Sequence, residues 1–200
     1  MLESELAADW LTQFRLWYAA VEAAGVTEPG AMVLATASAD GAPAARNVLL
    51  KGLDERGFAF FTNYASRKAA ELDANPRAAL LFHWREPAHR QVVVDGRVER
   101  LSSEESDEYF ATRPHGSRLA ALASRQSSVI ESRDELDRAY AELAARQPED
   151  SPPPRPGWWG GYRVAPVAVE FWEGRPNRLH DRLRFRQDRG GDWKLERLAP

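Results

Sequence analysis

A chain of 200 residues with 44% hydrophobic side chains is long enough to close a sizeable core. Its 27 basic and 30 acidic side chains leave a formal net charge of -3, so no global field draws it to nucleic acid or an anionic membrane, and any anion site has to be local. The lack of cysteine excludes disulfides, thiolate metal ligands and thiol nucleophiles, and the acidic start Met1-Leu2-Glu3-Ser4-Glu5 has no signal-peptide pattern, so a soluble, cytoplasmic protein is expected.

Trp10, Leu11, Phe14, Trp17, Tyr18 and Val21 recur at helical spacing ahead of Gly25, which predicts an amphipathic helix within 1–25. Between 30 and 100 the period changes. Ala31 to Ala37, Ala44 to Leu53 and Phe58 to Thr62 are short apolar runs separated by Asp40-Gly41 and Asp54-Glu55-Arg56-Gly57, the pattern of a strand meander. A short helix over Ser66 to Asn75, with Ser66 as N-cap, precedes strands at Ala78 to Trp84 and Gln91 to Arg100. In the helical section 102–146, Ser102 with Glu105 and Ser132 with Glu135 have capping-box spacing, and Gly116 to Ser124 forms a short helix between the two longer ones.

The proline run within 147–157 favours an extended connector, and 158–200 returns to strands at Tyr162 to Val164, Ala168 to Trp172, Leu183 to Gln187 and Trp193 to Leu198. The whole of 1–200 reads as one domain. Hairpin signals without a βαβ rhythm predict a mainly β architecture with peripheral helices, an antiparallel barrel. No glycine-rich phosphate loop is present, so side chains would have to hold the phosphate of any nucleotide-like cofactor.

Several cations interrupt apolar or small-residue runs: Arg46, Lys51, Arg67, Lys68, Arg178 and Arg182. Each alone is compatible with a solvated side chain. Ser66-Arg67-Lys68, however, puts a hydroxyl and two cations at a helix N-terminus, where free N–H groups already favour an anion. If Arg178-Leu179-His180-Asp181-Arg182 is extended, Arg178, His180 and Arg182 alternate onto one ionisable face, which is either a functional face or a surface strand with an incidental histidine. Gln126-Ser127-Ser128 reads as a polar loop, and Tyr109, Arg113 and Ser117 flank Pro114 at a helix end, where helix-terminus hydrogen bonding is a sufficient explanation.

Arg46-Asn47-Val48-Leu49-Leu50-Lys51, Phe61-Thr62-Asn63 with Ser66-Arg67-Lys68, Arg90-Gln91-Val92, Arg125-Gln126-Ser127-Ser128, Phe171-Trp172-Glu173-Gly174, Arg178 to Arg182 and the ending Arg197-Leu198-Ala199-Pro200 together resemble the pyridoxine (pyridoxamine) 5'-phosphate oxidase family. The resemblance implies a Greek-key split β-barrel homodimer with FMN at the subunit interface. It assigns FMN contacts to Arg46, Asn47, Val48, Leu49, Leu50, Lys51, Phe61, Thr62, Ser66, Arg67, Lys68, Gln91, Gln126, Ser127, Trp172 and Arg182. It assigns the substrate phosphate to Lys51, Tyr109, Arg113 and Ser117, and places Arg178, Leu179 and His180 over the pyridine ring, with Arg178 and His180 catalytic.

The implied reaction oxidises pyridoxine or pyridoxamine 5'-phosphate to pyridoxal 5'-phosphate with dioxygen as acceptor, giving hydrogen peroxide and, from the amine, ammonia, with no metal required. Three features depart from the family pattern. Only Met1 to Ala8 precede the first helix, where relatives carry an arm over the substrate, Asn47 replaces an apolar residue, and Phe61 stands where tyrosine is common. The alternatives are a phenazine-biosynthesis flavin oxidase, whose substrate has no phosphate to engage Lys51 and Arg113, and a flavin- or haem-binding split barrel without turnover.

Overall fold

The computed structural model describes residues 1–200. Helix α1 (Trp10–Ala23) starts at Asp9, whose carboxylate accepts from the Thr12 amide at 2.8 Å, and is followed by Gly25 in the left-handed region at φ +71. Its apolar stripe of Trp10, Phe14, Trp17 and Val21 is buried against the sheet. Phe14 meets Phe58 and Phe82 edge-on, each at 5.0 Å, within a continuous core that also takes in Leu34, Leu80, Val94 and Val169. Truncating a fully buried Phe14 to Ala should cost about 3–5 kcal/mol.

Nine strands form one antiparallel sheet: β1 (Ala31–Ala37), β2 (Pro43–Leu49), β3 (Gly52–Asp54), β4 (Gly57–Asn63), β5 (Arg77–Trp84), β6 (Arg90–Arg100), β7 (Trp159–Glu173), β8 (Asp181–Gln187) and β9 (Trp193–Arg197). The order β2-β1-β5-β6-β7-β4-β3 ends on two strands consecutive in sequence. The single strand expected over 44–53 is therefore two. At the break the Leu50 amide donates to Gly30 and the Lys51 amide to Ala59, both at 2.8 Å, so the backbone passes from the β1 side to the β4 side. The chain itself joins the two ends of the sheet, closing the barrel, and Lys51 sits at the seam.

β7 merges the two strands expected over 162–172. Its first part, Trp159 to Val164, pairs with β4, and its second, Ala168 to Glu173, pairs with β8, while β6 runs alongside both. This shared long strand splits the barrel. Two glycines permit it. Gly57 has φ +133, and a Cβ there would lie 2.1 Å from the Val164 oxygen, while at Gly96, where the β6–β7 register shifts, a Cβ would lie 2.5 Å from the Ala165 oxygen.

The helices lie outside the sheet: α2 (Arg67–Ala74), α3 (Ser103–Thr112), α4 (His115–Ala123) and α5 (Arg133–Arg146). The capping box at the start of α3 is formed, with Ser102 and Glu105 bonding reciprocally. The one expected at Ser132 is not. Glu135 instead accepts from the Glu131 amide and from Arg125, so the carboxylate is drawn off the cap. No helix is long and apolar enough to cross a membrane.

Candidate active site

A cleft of about 580 Å³ opens at the barrel seam. β2 contributes Asn47, Val48 and Leu49, the seam contributes Lys51, β4 contributes Phe61 and Thr62, and α2 contributes Lys68. From the helical section come Tyr109, Arg113, Ser117 and Gln126, together with Trp159 at the start of β7.

At one wall the Lys68 ammonium is buried and donates to Gln126 Oε1 at 2.9 Å, Thr62 Oγ1 at 3.1 Å and Ser66 Oγ at 3.3 Å. All three partners are neutral. Burial, then the Arg46 charge, pushes the Lys68 pKa below the ordinary lysine value. A buried cation at a helix N-terminus whose hydrogen-bond partners are all neutral favours an anion beside it. Gln126 reaches it from a loop in which Ser127 takes φ +74, and the loop is tied to β4 by Asn63 donating to the Ser124 carbonyl. Ser66 is the N-cap by position, but its side chain makes no cap bond and serves Lys68 instead.

At the other wall Phe61, Tyr109 and Trp159 cluster with their ring planes nearly parallel, the centroids 4.0 Å apart for Phe61–Tyr109, 5.4 Å for Phe61–Trp159 and 6.2 Å for Tyr109–Trp159. The Arg113 guanidinium stands 4.7 Å above the Trp159 ring and donates to the Ser117 carbonyl at 2.9 Å. Arg113 is at the end of α3 and Pro114 opens α4, so the break between the helices aims the arginine into the cleft. Burial lowers the Arg113 pKa and raises that of Tyr109.

Arg46 and Arg67 are both bonded to a residue the sequence reading missed. Glu71, buried on α2, accepts from Arg46 Nη2 at 2.8 Å and from Arg67 Nε at 2.7 Å. Its spacing from Arg67 is the one sequence signal that could have found it. Trp159 gave no such signal.

The remaining expected residues form a second group. Gln91, Trp172 and Arg182 are successive cross-strand partners on β6, β7 and β8. The His180 ring packs 4.6 Å from Trp172, and its Nδ1 accepts from the Arg175 amide at 3.1 Å, which assigns the proton to Nε2. Arg182 forms a two-pronged pair with Glu170 at 2.7 and 3.0 Å. The single extended face expected for Arg178, His180 and Arg182 is not there. Pro176–Arg178 is a 3-10 turn with Asn177 and Arg178 at φ +57 and +62, and β8 starts only at Asp181, so Arg178 and the exposed Leu179 project from a turn.

None of this second group lines the cleft. Gly161, opposite Phe61, and Trp172 are eleven residues apart on β7, on the order of 36 Å along a straight strand.

Comparison with known proteins gives the family. Residues 19–147 match the sequence profile described as pyridoxamine 5'-phosphate oxidase, and residues 159–200 the one described as the pyridoxine 5'-phosphate oxidase C-terminal dimerisation region. Pyridoxine/pyridoxamine 5'-phosphate oxidases of Cupriavidus necator and Salinispora arenicola are both 56% identical to the chain, over 99% and 100% of it and 92% and 90% of their own lengths. Among solved structures, PhzG from Burkholderia lata in complex with tetrahydrophenazine-1-carboxylic acid matches with a TM-score of 0.92 at 34% identity, covering 100% of this chain and 98% of that one. A pyridoxamine 5'-phosphate oxidase-related, FMN binding protein from Nostoc punctiforme has a TM-score of 0.77 at 18% identity, over 97% of this chain and 99% of that one, and shares the fold. The chain belongs to the pyridoxamine 5'-phosphate oxidase family.

Proposed function

We propose that this chain is an FMN-dependent oxidase that converts pyridoxine 5'-phosphate and pyridoxamine 5'-phosphate to pyridoxal 5'-phosphate, working in the cytoplasm as a two-fold dimer. The observation that carries the reading is the cleft's pair of cationic ends: buried Lys68 with only neutral partners at one, Lys51 and Arg113 at the other. Two phosphomonoesters, one on the cofactor and one on the substrate, need two such ends on a chain that is acidic overall. The donor set fits FMN: Lys68, Arg67, Gln126 and the start of α2 suit its phosphate, and Val48, Leu49 and Phe61 offer apolar surface beside it.

When bound, FMN supplies the ring that takes two electrons and a proton from substrate C4'. The chain's part is to bind, orient and exclude water. Lys51, Tyr109, Arg113 and Ser117 would hold the substrate phosphate, and the cluster of parallel Phe61, Tyr109 and Trp159 rings keeps that end rigid, so that the alcohol or amine carbon is oriented from its phosphate. Arg178 and His180 cover the pyridine ring, with the His180 Nε2 proton available to it because Nδ1 is already engaged. With the alcohol, substrate and O2 give aldehyde and H2O2; with the amine, water is also consumed and ammonia released.

The separation of the two groups along β7 supports a shared site, in which Gln91, Trp172, Arg178, His180 and Arg182 of one copy complete the cleft of the other. The two cations at that end favour the phosphorylated substrate over the phenazine type, because a carboxylic acid brings Lys51 and Arg113 a single negative charge where a phosphomonoester brings about −1.5 to −2. The test is peroxide production from both phosphorylated substrates, with free pyridoxine and pyridoxamine as controls. Equal turnover of the phosphate-free compounds would overturn the substrate assignment.

A further inference from the structure

Glu71 lies one helical turn beyond Arg67, and because side chains tilt toward a helix N-terminus it reaches back into the cluster of cations there. Its Oε1 accepts from Arg67 Nε at 2.7 Å. Oε2 accepts from Arg46 Nη2 at 2.8 Å and from the Thr36 hydroxyl. The carboxylate is 6% exposed, whereas the Arg67 side chain is 65% exposed. Grip through Nε leaves both terminal nitrogens of Arg67, the fork that recognises phosphate, without a partner in the chain. Arg46 is held more fully, its Nη1 donating to the Leu34 and Ala44 carbonyls and to Thr36.

The charges also close. Arg46, Arg67 and Lys68 around Glu71 leave a net charge of +2, the counterpart of the about −1.5 to −2 carried by a phosphomonoester at neutral pH. A buried carboxylate next to a phosphate site would repel the ligand if field alone mattered. Here it is already matched by two arginines, so its larger effect is to fix where their free N–H groups point. Burial works to raise its pKa, but the bonds from Thr36, Arg67 and Arg46 prevail and keep it below the ordinary value, so it stays ionised at neutral pH.

We propose that Glu71 is a positioning residue for the cofactor phosphate, holding Arg67 with its fork free and Arg46 behind it, and thereby setting the preference for FMN over riboflavin. The inference rests on the FMN reading above.

The experiment titrates FMN and riboflavin into full-length apoprotein, following quenching of flavin fluorescence, for the wild type, Glu71→Gln and Thr36→Val. Glu71→Gln keeps the shape and removes the charge. Thr36→Val removes one bond to Glu71 and one from Arg46, at a residue outside the cleft, and covers the case in which Glu71→Gln does not fold. The expected result is an FMN Kd raised about tenfold in Glu71→Gln and severalfold in Thr36→Val, with riboflavin binding within about twofold of wild type. Unchanged or tighter FMN binding in both variants, or equal loss of FMN and riboflavin, would overturn the assignment. If the wild type itself shows no preference for FMN, the cofactor reading fails, which separates that failure from this one.

Discussion

The cleft at the barrel seam and the strip along the far half of β7 are built in different ways. Cleft residues come from distant parts of the chain, Lys51, Lys68, Arg113 and Gln126, and the fold brings them together in one concave site. Gln91, Trp172 and Arg182 are already neighbours across three strands, yet they do not line that cleft. In the proposed division of labour the first region grips two anions and the second covers what is gripped. Such a division would need two copies, and residues 159–200, which carry most of the second region, match a dimerisation region.

Breaking the cleft should have the largest effect. Replacing Arg67 and Lys68 together by Ala removes the free fork and the buried ammonium, and the protein is expected to purify largely without flavin, as read from the absorbance ratio of flavin to protein. A full complement of FMN in that variant would put the cofactor phosphate elsewhere. Damage to the second region should spare flavin content and slow turnover instead. Arg178→Ala and His180→Ala should lower kcat by about a hundredfold, because orientation at the reacting carbon is lost. Arg113→Ala, at the substrate end of the cleft, should raise KM for pyridoxine 5'-phosphate by about tenfold to a hundredfold, for a contact of roughly 1.5–3 kcal/mol, with kcat less affected. If variants of the two regions showed the same kinetic pattern, the division of labour would be lost.

The smallest effect is on the scaffold behind the cleft. Hydrogen bonding from Arg163, with the Ser102 amide next, lowers the Glu105 pKa to about 2. Its folded value is below the unfolded one, so the stabilisation is present above about pH 4.3 and is lost as the pH falls toward 2. Glu105→Gln should therefore lower the melting temperature at pH 7 by a few degrees, and its difference from wild type should shrink between pH 4 and pH 2 in thermal melts. A gap that stays constant through that window would mean that Glu105 acts through packing alone.

The sequence carried the local elements well because each had its own chemistry: apolar period for α1, Ser102 and Glu105 for α3, and a short apolar run bounded by turn residues for β1. It failed where tertiary pairing overrode local pattern. The 44–53 run reads as one strand because nothing in it shows that Leu50 and Lys51 bond to different neighbours, and Ser132 with Glu135 reads as a capping box because the pull of Arg125 on Glu135 is invisible without the fold. The cations were legible as motifs. That Glu71 and Trp159 aim them was not, since one is an ordinary helical acid and the other follows a proline-rich connector. Nor could spacing reveal that Lys68 lines the seam cleft and Trp172 does not.

Subunit complementation tests the shared site most directly. A cleft variant, Lys68→Ala, and a second-region variant, Arg178→Ala, each nearly inactive, are mixed in equal amounts, dissociated and reassociated with FMN. In a mixed dimer one site combines both lesions and the other has neither, so with half of the dimers mixed, about one quarter of wild-type activity should return. Activity that stays at the level of the two parents, although mixed dimers are shown to form, would mean that each active site is built from a single chain.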